Sequence, residues 1–146
     1  MKIIINSLDF KGSLVDGPGI RSLVFMQGCD RMCEGCHNTS TWDISEGIPY
    51  EIGELVQIIK ERCKNRKITI TGGEPLYQKE ALMELIRGLD GFNICLYTSY
   101  EKDEVPQEIL KHINYLKTGR YDSSCRTTTT PYYGSKNQKF ITINEE

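Results

Sequence analysis

A chain of 146 residues has the usual size of one domain and buries roughly two-thirds of its unfolded surface. A complete eight-stranded α/β barrel needs about 250 residues, so any barrel-like arrangement here must be incomplete and open on one side. With 18 Lys+Arg against 20 Asp+Glu the formal net charge is -2 and no long run of one sign occurs, which speaks against electrostatic capture of nucleic acid. The apolar stretch at residues 3–5 is far too short for a membrane span or the core of a signal peptide. The expectation is a soluble cytoplasmic protein, one domain over residues 1–146, with no membrane partner.

In chain order, strand and helix patterns take turns. Residues 2–7 and 20–27 read as strands, and Ile52, Leu55, Val56, Ile59 and Cys63 then recur at helical spacing. Residues 67–71 form a further strand pattern, followed by a second helical stripe of Leu82, Leu85, Ile86 and Leu89. A strand at 92–97 precedes a weaker helix that starts at Val105 and Pro106 and buries Ile109, Leu110 and Ile113. Residues 115–117 can add a short strand, 123–130 are a polar stretch that reads as a loop, and 139–143 close the series. Strands alternating with helices of this length predict right-handed βαβ units, hence an α/β fold: an open partial (β/α) barrel with a mainly parallel sheet of about five or six strands.

Ligands of such sheets bind beyond the carboxyl ends of the strands, where the loops gather. The unusual residues fall there. A cysteine cluster follows the strand ending at Gln27, Gly72-Gly73-Glu74 follows the strand ending at Thr71, and Thr98-Ser99-Tyr100 follows the strand ending at Tyr97.

The six cysteines are about 4% of the chain, below the roughly 8–10% of a small disulfide scaffold. In a reducing compartment a tight cluster of thiols points to metal binding or redox chemistry. Cys29, Cys33 and Cys36 form a C-x3-C-x2-C arrangement with no fourth cysteine close behind. A structural zinc site closes with four protein ligands, whereas three thiolates on a 4Fe-4S cluster leave one iron open for a substrate or cofactor. His37 offers zinc a fourth ligand, and the run from Cys33 to His37 also fits c-type haem attachment, so the ligand arithmetic leaves these alternatives open. Cys63 and Cys95 read as small buried hydrophobes, Phe25 and Trp42 as core, and Cys125 as a thiol of the polar loop.

Asp16-Gly17-Pro18-Gly19-Ile20-Arg21, Phe25-Met26-Gln27-Gly28-Cys29, the cysteine triplet, His37-Asn38 and Thr41-Trp42-Asp43 together resemble the glycyl-radical-enzyme activases of the radical S-adenosylmethionine superfamily. Gly72-Gly73-Glu74-Pro75 resembles that superfamily's GGE motif. The short length, the segments 97–100 and 115–119, and the run from Gly134 to Lys139 look like the anaerobic ribonucleoside-triphosphate reductase activating proteins.

The resemblance implies that Cys29, Cys33 and Cys36 hold a 4Fe-4S cluster whose open iron chelates S-adenosylmethionine. Gly72 and Gly73 would then let the backbone approach the methionyl part, and Glu74 would accept a hydrogen bond from its amino group. Thr98 and Ser99 fall where the family contacts the ribose or carboxylate. The aromatic residue that many members carry before the third cysteine is Gly35 here, which leaves His37 as a candidate for stacking on adenine. Asp16, in its turn cluster, is expected among the catalytic residues at the mouth that admits the glycine loop of a partner. The implied activity is reductive cleavage of S-adenosylmethionine and formation of a glycyl radical on the large subunit of an anaerobic ribonucleotide reductase, with an electron donor such as flavodoxin. The alternatives are another radical S-adenosylmethionine enzyme, such as a pyruvate formate-lyase-type activase, and a zinc-binding interaction module built on the cysteines and His37.

Overall fold

The computed structural model describes residues 1–14, 16–28, 44–119 and 138–144. Among these, seven strands form one open sheet: β1 (Lys2–Ser13), β2 (Arg21–Met26), β3 (Ile48–Glu51), β4 (Lys67–Gly72), β5 (Asn93–Tyr97), β6 (Tyr115–Thr118) and β7 (Lys139–Thr142). Their spatial order is β3-β1-β2-β4-β5-β6-β7. The helices are α1 (Ile52–Arg62), α2 (Lys79–Gly88) and α3 (Gln107–Leu110).

The α/β class and the open sheet agree with the sequence, and the count is seven rather than five or six. Parallel pairing holds for β2–β4, β4–β5 and β5–β6. The flanking pairs β1–β2, β1–β3 and β6–β7 are antiparallel. β3 is the added strand. Its Pro49 lacks an N–H and its Ile48 is exposed, so it carries neither a donor at every position nor an apolar alternation, and proline suits a strand at the sheet edge. β1 runs six residues past the expected end, because beyond Ser7 its side chains are only partly covered and no buried alternation marks them.

The parallel centre is explained by period-two burial on both faces. Val24 and Met26 of β2, Ile68 and Ile70 of β4, and Ile94 and Leu96 of β5 share one buried cluster with Leu55 and Ile59 of α1 and Leu82, Leu85 and Ile86 of α2. Burying each such side chain contributes about 1.5–3 kcal/mol. That face therefore supplies most of the driving force. On the opposite face, Leu23, Thr69, Cys95 and Tyr115 stand in register across β2, β4, β5 and β6. Because both faces are covered, β5 reads as an unbroken buried run.

α3 is a single turn, although Ile109, Leu110 and Ile113 are all buried as expected. The chain leaves the helix at once to pair with β5. The Asn114 side-chain oxygen accepts from the Ile94 N–H at 3.0 Å while the Asn114 backbone N–H donates to the Ile94 carbonyl at 2.8 Å.

Candidate functional site

Three chain segments meet at the carboxyl end of the parallel strands. The Gly73 N–H donates to the Met26 carbonyl at 3.1 Å and the Glu74 N–H to the Gly28 carbonyl at 2.9 Å. The residue immediately before Cys29 is thus pinned to the glycine turn. Gly72, at φ +117°, has left-handed backbone, and a Cβ there would lie 2.3 Å from both the N and O of Met26. Only glycine lets β4 turn this closely against β2.

The third segment is joined through a buried carboxylate. Glu74 is 1% exposed. Its Oε1 accepts from the Ser99 N–H and hydroxyl, both at 2.7 Å, and its Oε2 accepts from the Thr98 hydroxyl at 2.7 Å and the Leu76 N–H at 2.9 Å. The Leu76 bond caps a short 3-10 turn over Pro75–Gln78, whose proline occupies a position where a missing N–H does no harm. Four donors fill about the four acceptor positions that an ionised carboxylate has.

Gln78, which the sequence does not single out, completes the assembly. Its Oε1 accepts from the Ile4 N–H at 2.8 Å, while its Nε2 donates to the carbonyls of Ile4 at 2.8 Å and Gln27 at 2.9 Å. The side-chain amide imitates a strand neighbour for β1 and holds the end of β2. No local pattern signals this, because a glutamine beside a turn ordinarily faces water.

Gly72, Gly73, Glu74, Thr98 and Ser99 are therefore brought together. Asp16 is not brought to them. Its carboxylate accepts from the Ser13 hydroxyl and its carbonyl accepts from the Thr69 hydroxyl, both at 2.5 Å, three positions back from Gly72 along β4. Cys29, Cys33, Cys36 and His37 lie outside the described residues, as do Trp42, Cys125 and the polar stretch 123–130.

The turn at Asp16–Gly19 is fastened by Arg21, a second residue to which the sequence assigns no role. Its guanidinium is 1% exposed and donates to Thr69 Oγ1 at 2.9 Å and to the carbonyls of Pro18, Ile68 and Asn93 at 2.8, 2.9 and 2.7 Å. Burial lowers its pKa from the usual value, with Cys95 and Tyr115 partly opposing that change. It also stands 5.8 Å over the Tyr115 ring, so one cation ties the starts of β2, β4 and β5 together.

Cys95 lies against this group. Burial pushes its thiol up to about 12, against the opposing influence of Arg21 and a hydrogen bond with Thr69. The folded thiol stays neutral where the unfolded one ionises. Its contribution to stability is therefore complete below the unfolded value near 9.0 and is lost as pH rises from there through the folded value. Relative to Cys95→Ala, the native protein should lose up to about 1.4 kcal/mol per pH unit in that window. Denaturant titrations of both proteins from pH 8 upward check this, and parallel curves would show a thiol that ionises normally.

Comparison with known proteins gives this geometry a family. Residues 15–141 match the model of the 4Fe-4S single cluster domain. The chain is 31% identical over 134 residues to the anaerobic ribonucleoside-triphosphate reductase-activating protein of Enterobacteria phage T4, an alignment that covers 86% of this chain and 85% of the relative. The protein of the same name from Escherichia coli K12 is 30% identical over 138 residues, covering 86% of this chain and 90% of the relative. The chain belongs to the anaerobic ribonucleoside-triphosphate reductase-activating protein family. The Vibrio cholerae member is 31% identical over 138 residues, with 86% and 89% covered. The fold of the activating-protein family member also matches the crystal structure of QueE from Escherichia coli, with a TM-score of 0.58 at 21% identity over 78% of this chain and 68% of that one. Membership decides between the cofactors that the cysteine spacing left open. They are a 4Fe-4S cluster and S-adenosylmethionine.

Among the described residues Cys63 and Cys95 are free and buried. The Gly28 carbonyl leads directly into the thiol cluster of the sequence, beside a turn where side-chain atoms are excluded by Met26.

Proposed function

We propose that this protein activates an anaerobic ribonucleoside-triphosphate reductase by generating a glycyl radical on its large subunit, with residues 1–146 acting as one radical S-adenosylmethionine domain. The observation that carries this reading is the contact of Glu74 N–H with the Gly28 carbonyl, which puts the approach to Cys29 next to the glycine turn and the Thr98–Ser99 segment. Cys29, Cys33 and Cys36 would hold the cluster. When bound, the cluster and S-adenosylmethionine supply a 5′-deoxyadenosyl radical able to take hydrogen from a glycine Cα.

The chain's own residues supply place and shielding. Gly72 and Gly73 present backbone without side chains to the methionyl end, Thr98 and Ser99 line the adjoining wall, and His37 is assigned to the adenine. Neighbouring strands β2, β4 and β5 hold these segments at fixed spacing, so a reacting group docks against a rigid frame. Asp16 is assigned to the turn that meets the reductase, through backbone held by Thr69 and Arg21. Among the described residues no helix is long and apolar enough to cross a membrane, and a cytoplasmic site with a flavodoxin-type electron donor suits the proposed partner.

The test is anaerobic incubation of the reconstituted protein with S-adenosylmethionine, a reductant and the reductase, followed by electron paramagnetic resonance. A glycyl signal on the reductase, with methionine released, is the expected result. Methionine released without that signal would move the substrate elsewhere in the radical enzyme class.

A further inference from the structure

The buried position of Glu74 changes what its carboxylate does. An acid in a Gly-Gly-Glu-Pro turn is expected to face its ligand, yet this one is 1% exposed and each oxygen takes two donors from its own chain. Two of those donors are the N–H and hydroxyl of Ser99, one is the hydroxyl of Thr98, and one is the N–H of Leu76. The carboxylate therefore spans from the loop after β4 to the loop after β5. Its own backbone extends the link to the loop after β2 through Gly28.

We propose that Glu74 is a positioning residue: its carboxylate braces the Thr98–Ser99 turn against the glycine turn and so builds the seat that the cofactor enters. This rests on the proposed function for the identity of the cofactor, and on the hydrogen bonds alone for the brace. The physical reason is saturation. An ammonium group arriving at this carboxylate would have to displace a donor already within 2.7–2.9 Å and leave that donor buried without a partner, which is costly. The groups left for the ligand are those that the brace orients: the Ser99 hydroxyl oxygen as an acceptor and the backbone carbonyls of the Gly72–Gly73 turn, since the Thr98 hydroxyl already accepts from the Tyr100 N–H at 3.2 Å.

The isosteric variant Glu74→Gln replaces one acceptor oxygen by an NH2 that confronts the donors of Thr98 or Ser99. The 98–99 segment then loses its fixed place. If the seat is formed in about one molecule in ten, every ligand that uses it binds about ten-fold more weakly. A direct contact with the amino group predicts something else, since only ligands carrying that group would suffer.

The experiment compares binding of S-adenosylmethionine and of 5′-methylthioadenosine, which has the same nucleoside but no amino acid part, to cluster-reconstituted native protein and Glu74→Gln. Equal loss for both ligands, near ten-fold, is expected. Loss confined to S-adenosylmethionine would overturn the proposal. Amide hydrogen exchange of the native protein without added ligand needs no variant and no cofactor: the Ser99 N–H should already be protected. A Ser99 amide that exchanges freely until S-adenosylmethionine is added would overturn the brace. Binding of neither ligand by the native protein would count against the proposed function, while the exchange result still decides the brace.

Discussion

Replacing Cys29, Cys33 or Cys36 by alanine should give a protein that folds, stays colourless on anaerobic reconstitution and releases no methionine from S-adenosylmethionine. Three thiolates are the fewest that can retain the cluster while one iron stays open, so loss of one ligand leaves no intermediate level of function. The native protein should take up about four irons. Cys63→Ala provides the control. Its thiol is 2% exposed beside the Lys67 carbonyl at 3.3 Å, and trimming it should cost of order a kcal/mol in stability and leave iron content unchanged. Iron analysis, visible absorbance and chromatography of methionine read all three quantities, and full cleavage by Cys33→Ala would refute the ligand assignment.

Gly72→Ala should be the most damaging single methyl group among the described residues of the site. The new Cβ meets backbone atoms of Met26 at 2.3 Å, and the residue must hold φ +117°. Overpacking costs roughly 1–3 kcal/mol and strained left-handed backbone a similar amount, so about 2–6 kcal/mol is expected. Neither atom can move aside cheaply, because Met26 is paired with Gly72 within the parallel sheet and its carbonyl also accepts the Gly73 N–H. Urea denaturation would read the loss. A change below about 1 kcal/mol, smaller than overpacking alone, would show that the turn relaxes more freely than the structure indicates.

The elements legible in the sequence are those whose burial repeats within one segment. Ile68 and Ile70 alternate, and Leu82, Leu85 and Ile86 fall at helical spacing, so β4 and α2 could be assigned from the chain itself. The meeting of the loops after β2, β4 and β5 was legible too, because parallel strands place their carboxyl ends together. What escaped depends on partners distant in sequence. Glu74 reads as a turn acid facing the amino group of its ligand until Thr98 and Ser99, 24 and 25 residues later, close over it. Gln78 reads as solvated until it reaches Ile4 and Gln27, 74 and 51 positions away. β3 is held by β1 rather than by any pattern of its own, and Arg21 looks like the polar start of a strand rather than a cation enclosed by carbonyls.

The hydrogen bonds of Glu74 also set an order of events during synthesis. Cys29, Cys33 and Cys36 leave the ribosome early, but Gly28 cannot acquire its hydrogen bond before Glu74 exists, and the Glu74 carboxylate cannot close before Ser99 exists. A nascent chain thus carries Cys29, Cys33 and Cys36 for nearly half of its translation before the hydrogen bonds that fix Gly28 and Glu74 are complete. On the proposed ligand assignment, loading of the cluster would be an event of the folded chain, and oxidation of the waiting thiols would compete with it whenever elongation is slow.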